Sequence, residues 1–361
     1  MKGFASWLCG RNESPAGRLA GILVLIGLSV GCREKTAYYS KDDFIKVPKI
    51  DAHFHYFTTD KRYLEFASSL NFKLLSVMVE SGAPLDFQLG VSDSVHRADS
   101  GNLAFFGTFS VDSFGSPGFA EYAIRHIRKC MEKGASGIKV WKNIGMVLLD
   151  REGKYVMIDD PAFEPIFKYL EDNRIPVLGH LGEPRDCWLP YEEMMDPSNE
   201  KYYRNNPQYY MYAHTGVPTY EQQIAARDHI LARHPRLEFI GAHMASLEWN
   251  LDGLTALLDR FPNLKIDLAA RMYYLHHHAS TDREKVREFM IRYQDRILYA
   301  TDIAVHDRMG VDFKSTTENL YRGWLAQWEF LATDSAGESR GLQLPREVID
   351  KIYYKNAERY F

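Results

Sequence analysis

An α/β fold closed into a (β/α)8 TIM barrel is predicted by three observations. Eight short apolar runs rich in β-branched and aromatic residues recur along the chain. Stretches of helical periodicity separate most of them, which implies βαβ units and a parallel sheet. The chain has 361 residues, enough for eight such units in one domain. No glycine-rich phosphate loop follows any run, which argues against an open nucleotide-binding sheet. Hydrophobic residues make up 45% and charged residues 25%, ordinary globular usage that excludes a disordered or coiled-coil chain. The net charge of −4 carries no basic footprint, so no nucleic-acid partner is expected.

The first segment is not part of the fold. Residues 19–30 (LAGILVLIGLSV) form 12 uncharged positions after Lys2, Arg11 and Arg18. A bilayer core of about 30 Å needs roughly 20 residues, so this run suits a secretory signal better than a span. Ser29-Val30-Gly31-Cys32 follows, and the whole resembles a bacterial lipoprotein signal. The resemblance implies a signal peptide over 1–31, a lipid anchor on Cys32 as the sole membrane contact, and an exported protein at the cell envelope. The alternatives are a plain cleaved signal or a short anchor. Residues 32–46 are polar and read as a tether, and the barrel is expected over 47–361. Cys130 and Cys187 are the other cysteines of the exported chain; they leave a disulfide framework out of reach and their pairing open.

The strand runs are 47–55, 72–80, 103–111, 136–142, 175–180, 237–243, 264–270 and 296–302. Helical periodicity covers 122–133, 162–172, 220–233, 249–260, 282–293, 316–331 and 345–353; the connection near 83–101 is the least regular. Residues 181–219 show no clear period and carry Trp188 and six tyrosines. This long loop follows the fifth strand, so in a barrel it covers the C-terminal face, where it reads as a lid or substrate-contact loop. The alternative is a surface excursion packed on its own tyrosines.

The first run ends Asp51-Ala52-His53-Phe54-His55. A spacing of two on a strand points both imidazoles to one side. His180 ends the fifth run, His243 the sixth and Asp302 the eighth. All are metal-ligand types, and all sit at C-terminal strand ends, which ring one small opening in a closed barrel.

The set DAHFH, GIKVW, IPVLGHLGEP, FIGAH and ILYATD, in this order over about 47–361, resembles the amidohydrolase superfamily of metal-dependent barrels, in particular its amidohydrolase-2 branch. The resemblance implies that His53, His55, His180, His243 and Asp302 take metal-ligand and catalytic positions, with His243 and Asp302 in the chemistry. One or two divalent cations are expected, zinc first, with manganese and iron as alternatives. Lys139, within GIKVWK, is similar to the lysine that binuclear, phosphotriesterase-like members carboxylate and use to bridge two metals. Its other readings are an ordinary cation or a side chain facing the helices, and Lys142 is a competing candidate.

The activity so implied is hydrolysis: metal-activated hydroxide attacks a small-molecule ester, lactone, amide or phosphoester, and Asp302 takes the proton. Asp51 reads as an orienter of a ligand histidine or as a strand-end polar group. Asp267 reads equally as a core hydrogen-bond acceptor. Glu183, Arg185 and Arg271 are expected at the mouth, with Trp188 and His214 on the loop as further substrate contacts. His276-His277-His278 are adjacent and cannot all aim at one ion. Two alternatives stay open: a mononuclear decarboxylase or lyase on the same His and Asp set, and a non-catalytic binding lipoprotein.

Overall fold

The computed structural model describes residues 37–306, 312–337 and 340–361. Residues 1–36, including the signal segment and Cys32, lie outside the described residues.

All eight apolar runs form strands: β1 Lys49–Phe57, β2 Phe72–Val77, β3 Leu103–Thr108, β4 Gly137–Val140, β5 Val177–Gly179, β6 Phe239–Gly241, β7 Leu264–Asp267 and β8 Ile297–Leu298. A short β9, Ala304–His306, continues the eighth run. The pairing is parallel throughout, in the order β8-β7-β6-β5-β4-β3-β2-β1-β9. The chain between β8 and β9 closes the ring. Ala52 N donates to Tyr299 O at 2.9 Å, Asp302 N to His53 O at 2.7 Å and His55 N to Ile303 O at 2.8 Å.

Two buried layers follow from the alternation of the strands. Ile50, Ala52, Leu75, Val77, Ala104, Phe106, Leu178, Ile240 and Leu298 fill the barrel, with Tyr360 packed among them. Phe54, Phe105, Ile138, Val177, Phe239 and Leu264 face outward onto the helices, together with fully buried Trp324 and Trp328.

β1 changes phase partway along. Asp51 pairs with Leu74, but Phe54 pairs with Ser76, so β1 holds one residue more than β2 across this stretch. Such a bulge re-aims the side chains beyond it. Before it, Ile50 and Ala52 point into the barrel; after it, His53 and His55 do, and Phe54 turns outward. Unbroken alternation would have placed Phe54 inside and both histidines outside.

The helical expectations hold with shifted ends. Helices span Arg62–Ser69, Leu85–Ala98, Phe119–Glu132, Glu164–Asp172, Tyr220–Arg233, Leu251–Arg260, Met272–Arg292, Phe313–Ala332 and Arg346–Asp350. The first of these was not legible as a separate helix. The irregular connection near 83–101 is the Leu85–Ala98 helix. Met272–Arg292 begins well before residue 282 because Asp282 (φ −146°) interrupts its period.

Two expectations are corrected. The tether reading fails for residues 37–46. Phe44 is buried, Trp328 Nε1 donates to Ser40 O at 3.0 Å, and Tyr39 Oη donates to Asp350 Oδ1 at 2.8 Å, so this apolar-dotted segment packs on the barrel. The 181–219 loop is not structureless. It holds the helix Ser198–Asn205 and four 3-10 turns around a core of its own: Cys187, Met194, Tyr203, Tyr209, Tyr210 and Met211 on Met146. Cys130 and Cys187 are both free and buried. No helix among the described residues is long and apolar enough to cross a membrane.

Candidate active site

Strand ends deliver four of the five expected histidine and aspartate side chains to one cavity of about 660 Å³ at the C-terminal mouth of the barrel. His53, His55, Lys139, His180 and Asp302 line it, with Phe57, Phe87, Trp141, Lys142, Tyr202 and His306. His243 stands behind His180, its Nε2 3.2 Å from His180 Nδ1.

The tautomers follow from the partners. A carbonyl or carboxylate oxygen only accepts, so each Nδ1 facing one must carry the proton. His55 Nδ1 donates to Val77 O at 2.8 Å, and His243 Nδ1 to Ala269 O at 2.9 Å. His53 Nδ1 donates to Asp267 Oδ2 at 2.8 Å. Each Nε2 is therefore left with a lone pair. Two of these lone pairs face the same carboxylate oxygen: Asp302 Oδ1 lies 3.2 Å from His53 Nε2 and 3.0 Å from His55 Nε2. His180 Nε2 is buried with no hydrogen-bond partner. Ligand atoms of His53, His243 and Asp302 all lie within 4.8 Å of one another. Lone pairs aimed at lone pairs repel unless a cation sits among them, so this donor set fits a divalent metal.

Electrostatics agree. Burial pushes the His53 imidazole down, and pushes His180 and His243 well below 6.5, so these rings are neutral Lewis bases near pH 7. Burial alone would raise Asp302, but His53, His243 and His55, which take up protons as the pH falls, outweigh it and hold the carboxylate well below its usual range.

Lys139 is fully buried, and its Nζ donates to His53 Nε2 at 3.1 Å. It makes no ion pair with any carboxylate among the described residues. Burial pulls its amine down to about 8, against the pull of Asp302 and Asp267. Lys142 points into the same cavity but is already engaged. It pairs with Glu183, donates to Tyr202 Oη at 2.8 Å and lies 4.1 Å from the Tyr209 ring centroid. Tyr202 comes from the Ser198–Asn205 helix, so the loop after β5 does reach the cavity.

None of the five expected substrate contacts lines this cavity. Arg185 stacks over Trp249, its guanidinium carbon 4.3 Å from the ring centroid. Trp188 Nε1 donates to Pro218 O at 2.9 Å and braces the loop. His214 is exposed and bonded to Pro207 O at 2.8 Å. Arg271 is buried beside Glu248, Nε to Oε2 3.7 Å, because its position opens the helix that turns away from the mouth. Glu183 is buried behind the lining and pairs with Lys142.

The two aspartates exchange roles relative to the first expectation for Asp51. Asp51 points outward from β1 and accepts from Thr301 Oγ1 at 2.6 Å, Thr301 N at 3.0 Å and Trp324 Nε1 at 3.2 Å. It anchors the turn that carries Asp302. Asp267 orients two of the histidines, accepting from His53 Nδ1 and, at 2.6 Å, from His243 N. Its place at the end of an apolar run was the available signal. Phe57, Phe87 and Trp141 had no signal beyond being apolar.

The backbone at His243 is unusual. His243, Met244, Ala245 and Ser246 have φ of 58°, 56°, 55° and 57°, four consecutive left-handed residues without a glycine. Each such residue costs roughly 1–2 kcal/mol, and such strain clusters at functional sites. Asp302 (φ 66°) is also left-handed.

The amidohydrolase family model matches residues 50–361. A search of curated proteins gave no significant match. Among solved structures, an uncharacterized TIM-barrel protein from Bordetella bronchiseptica is 16% identical with a TM-score of 0.51, covering 87% of this chain and 98% of its own. A putative amidohydrolase from Staphylococcus aureus is 16% identical with a TM-score of 0.50, covering 87% and 99%. A 2,6-dihydroxybenzoate decarboxylase from Rhizobium is 12% identical with a TM-score of 0.48, covering 87% and 98%. The likeness to the first two supports the barrel fold.

Proposed function

The chain belongs to the amidohydrolase family, and on that premise we propose that it is a metal-dependent hydrolase of a small-molecule ester, lactone, amide or phosphoester. His53, His55, His243 and Asp302 would hold the cation, with His180 beside them. Zinc suits this nitrogen and carboxylate set, and manganese or iron are the alternatives. A bound divalent cation supplies Lewis acidity and lowers the pKa of water toward about 7. The single observation that carries the hydrolase reading is Lys139: a fully buried amine against His53 that makes no ion pair among the described residues. Burial disfavours the ammonium form of Lys139. Attack of the free amine on carbon dioxide, with release of one proton to solvent, would turn the side chain into an anion whose charge bound divalent cations would offset.

The other side chains have separable duties. Asp267 keeps His53 and His243 in register. Asp302, held ionised, accepts a proton from the attacking nucleophile. Tyr202 and Trp141 wall the cavity against water.

A second reading, a mononuclear decarboxylase or lyase, is favoured by Lys142. It stands at the cavity wall beside Trp141 and Tyr202, so a planar acid that displaced Glu183 from it would meet a cation among aromatic rings. We further propose export and lipid anchoring on Cys32, tested by labelling with a fatty acid and its loss in Cys32→Ser.

The experiment is elemental analysis of metal per chain in the wild type and in Lys139→Ala, with product identification. About two metals, falling in the variant, with hydrolysis of a lactone, amide or phosphoester, is the expected result. One metal unchanged by the substitution, with carbon dioxide released, selects the lyase. Full ligand affinity without metal or turnover selects a binding lipoprotein.

A further inference from the structure

The left-handed turn after β6 leaves a backbone problem that another element solves. Its internal bonds run Ser246 N to His243 O and Leu247 N to Met244 O, both at 3.1 Å. The last two carbonyls, of Ala245 and Ser246, have no acceptor role inside the turn. Buried carbonyls need donors from elsewhere.

Both donors come from the Tyr220–Arg233 helix. Arg227 Nη1 donates to Ala245 O, and Tyr220 Oη donates to Ser246 O. Arg227 is 1% exposed and Tyr220 5%. Trp249 Nε1 donates to Tyr220 Oη at 2.9 Å and holds the phenol in place. Asp228 Oδ1 accepts from Arg227 Nη2 at 2.7 Å and Nε at 3.1 Å, which supplies the counter-charge a buried guanidinium requires. Ser246 Oγ donates to Leu181 O or Gly182 O, each 3.1 Å away, tying the turn to the segment that follows His180. The helix itself is firmly started by a capping box of Thr219 and Gln222.

We infer that Arg227 and Tyr220 are positioning residues: they clamp the strained 243–246 turn and so aim the His243 imidazole at the site. The inference rests on the reading of His243 as a metal ligand given under Proposed function. Neither residue touches the cavity. They act through two backbone carbonyls, and the arginine is buried on a helix face that also carries Gln223, Ala226, Ile230 and Leu231.

The test uses the full-length protein, Tyr220→Phe, Arg227→Met, and Arg227→Met combined with Ala245→Gly. Two quantities are read: amide hydrogen exchange of the metal-free protein, and affinity for Zn²⁺ alone. In the single variants, exchange at Ser246 and Leu247 rises about tenfold while β4 and β7 stay protected. Zn²⁺ affinity falls by about 10–100-fold, the usual effect of losing a support behind a ligand. Glycine at 245 accepts the left-handed conformation without a Cβ penalty, so the double variant recovers most of that affinity. Unchanged exchange and unchanged affinity in Tyr220→Phe overturn the inference. That variant removes one hydroxyl and decides alone if Arg227→Met does not fold. A wild type that takes up no Zn²⁺ overturns the proposed function instead, and the exchange data still decide the clamp.

Discussion

Lys139 Nζ lies 3.1 Å from His53 Nε2, a contact that joins β4 to the stretch of β1 beyond its bulge. Burial lowers this amine to about 8 against the pull of Asp302 and Asp267, which leaves an unprotonated fraction near neutral pH that can attack carbon dioxide. If it is carboxylated, metal uptake depends on dissolved carbon dioxide. Metal-free protein in carbon-dioxide-depleted buffer is expected to bind less Zn²⁺, with bicarbonate restoring the second equivalent. Lys139→Ala is expected not to respond. Titration with and without bicarbonate checks this.

Asp267 serves two ligands at once, accepting from His53 Nδ1 at 2.8 Å and His243 N at 2.6 Å. Asp267→Asn keeps the shape but loses the anionic acceptor for one of them. The expected outcome is a fall in metal affinity of about 10–100-fold with the fold retained. Equilibrium dialysis against Zn²⁺, beside far-UV circular dichroism, measures both.

Gly179 immediately precedes His180, and a Cβ there would lie 2.2 Å from Phe239 Cζ on the neighbouring strand. Gly179→Ala overpacks the sheet where β5 meets β6. A loss of about 1–3 kcal/mol in unfolding free energy is expected. A denaturation midpoint shifted at constant slope would show it.

Tyr202 links the loop after β5 to Lys142 through a 2.8 Å hydrogen bond at the cavity rim. Tyr202→Phe removes that link and little else. Faster amide exchange is expected over Ser198–Asn205, with stability changed by no more than about 1 kcal/mol. For any substrate found, KM should rise more than kcat falls.

Glu248 is fully buried, and neither carboxylate oxygen has a hydrogen-bond partner. Burial, opposed by Arg271, raises its pKa from 4.5 to about 7. Between those values the folded chain keeps a proton that the unfolded chain has lost. The associated stability is complete below 4.5 and gone above about 7, so unfolding free energy falls as pH rises through this window. Glu248→Gln is expected to flatten that slope, read as denaturation midpoints across pH 4.5 to 7.

Much of the fold was legible because strand and helix periods are local. The run LKIDLAA reads as a strand whatever surrounds it, and Tyr220–Arg233 matches its expected helix at both ends. Most other helix ends moved by a few residues, while Met272–Arg292 starts ten residues early because Asp282 breaks its period. The site was legible where chemistry and position coincide: histidines and an aspartate at strand ends. It was not legible where direction matters. Arg185 and Arg271 follow strand ends closely and Trp188 and His214 lie on the loop after β5, yet each turns to a packing or hydrogen-bond partner away from the cavity.

By itself, the sequence determined the parallel barrel and the inventory of ligand types at its mouth, because hydrophobic period and residue chemistry are properties of short segments. Only the tertiary structure decided which side of β1 carries His53 and His55, since the bulge depends on pairing with β2. It also decided that Asp267 rather than Asp51 orients His53. And it brought Arg227, from a helix that does not reach the cavity, under the turn of His243. Each of these depends on a contact between residues distant in the chain, and such contacts exist only once the barrel has closed.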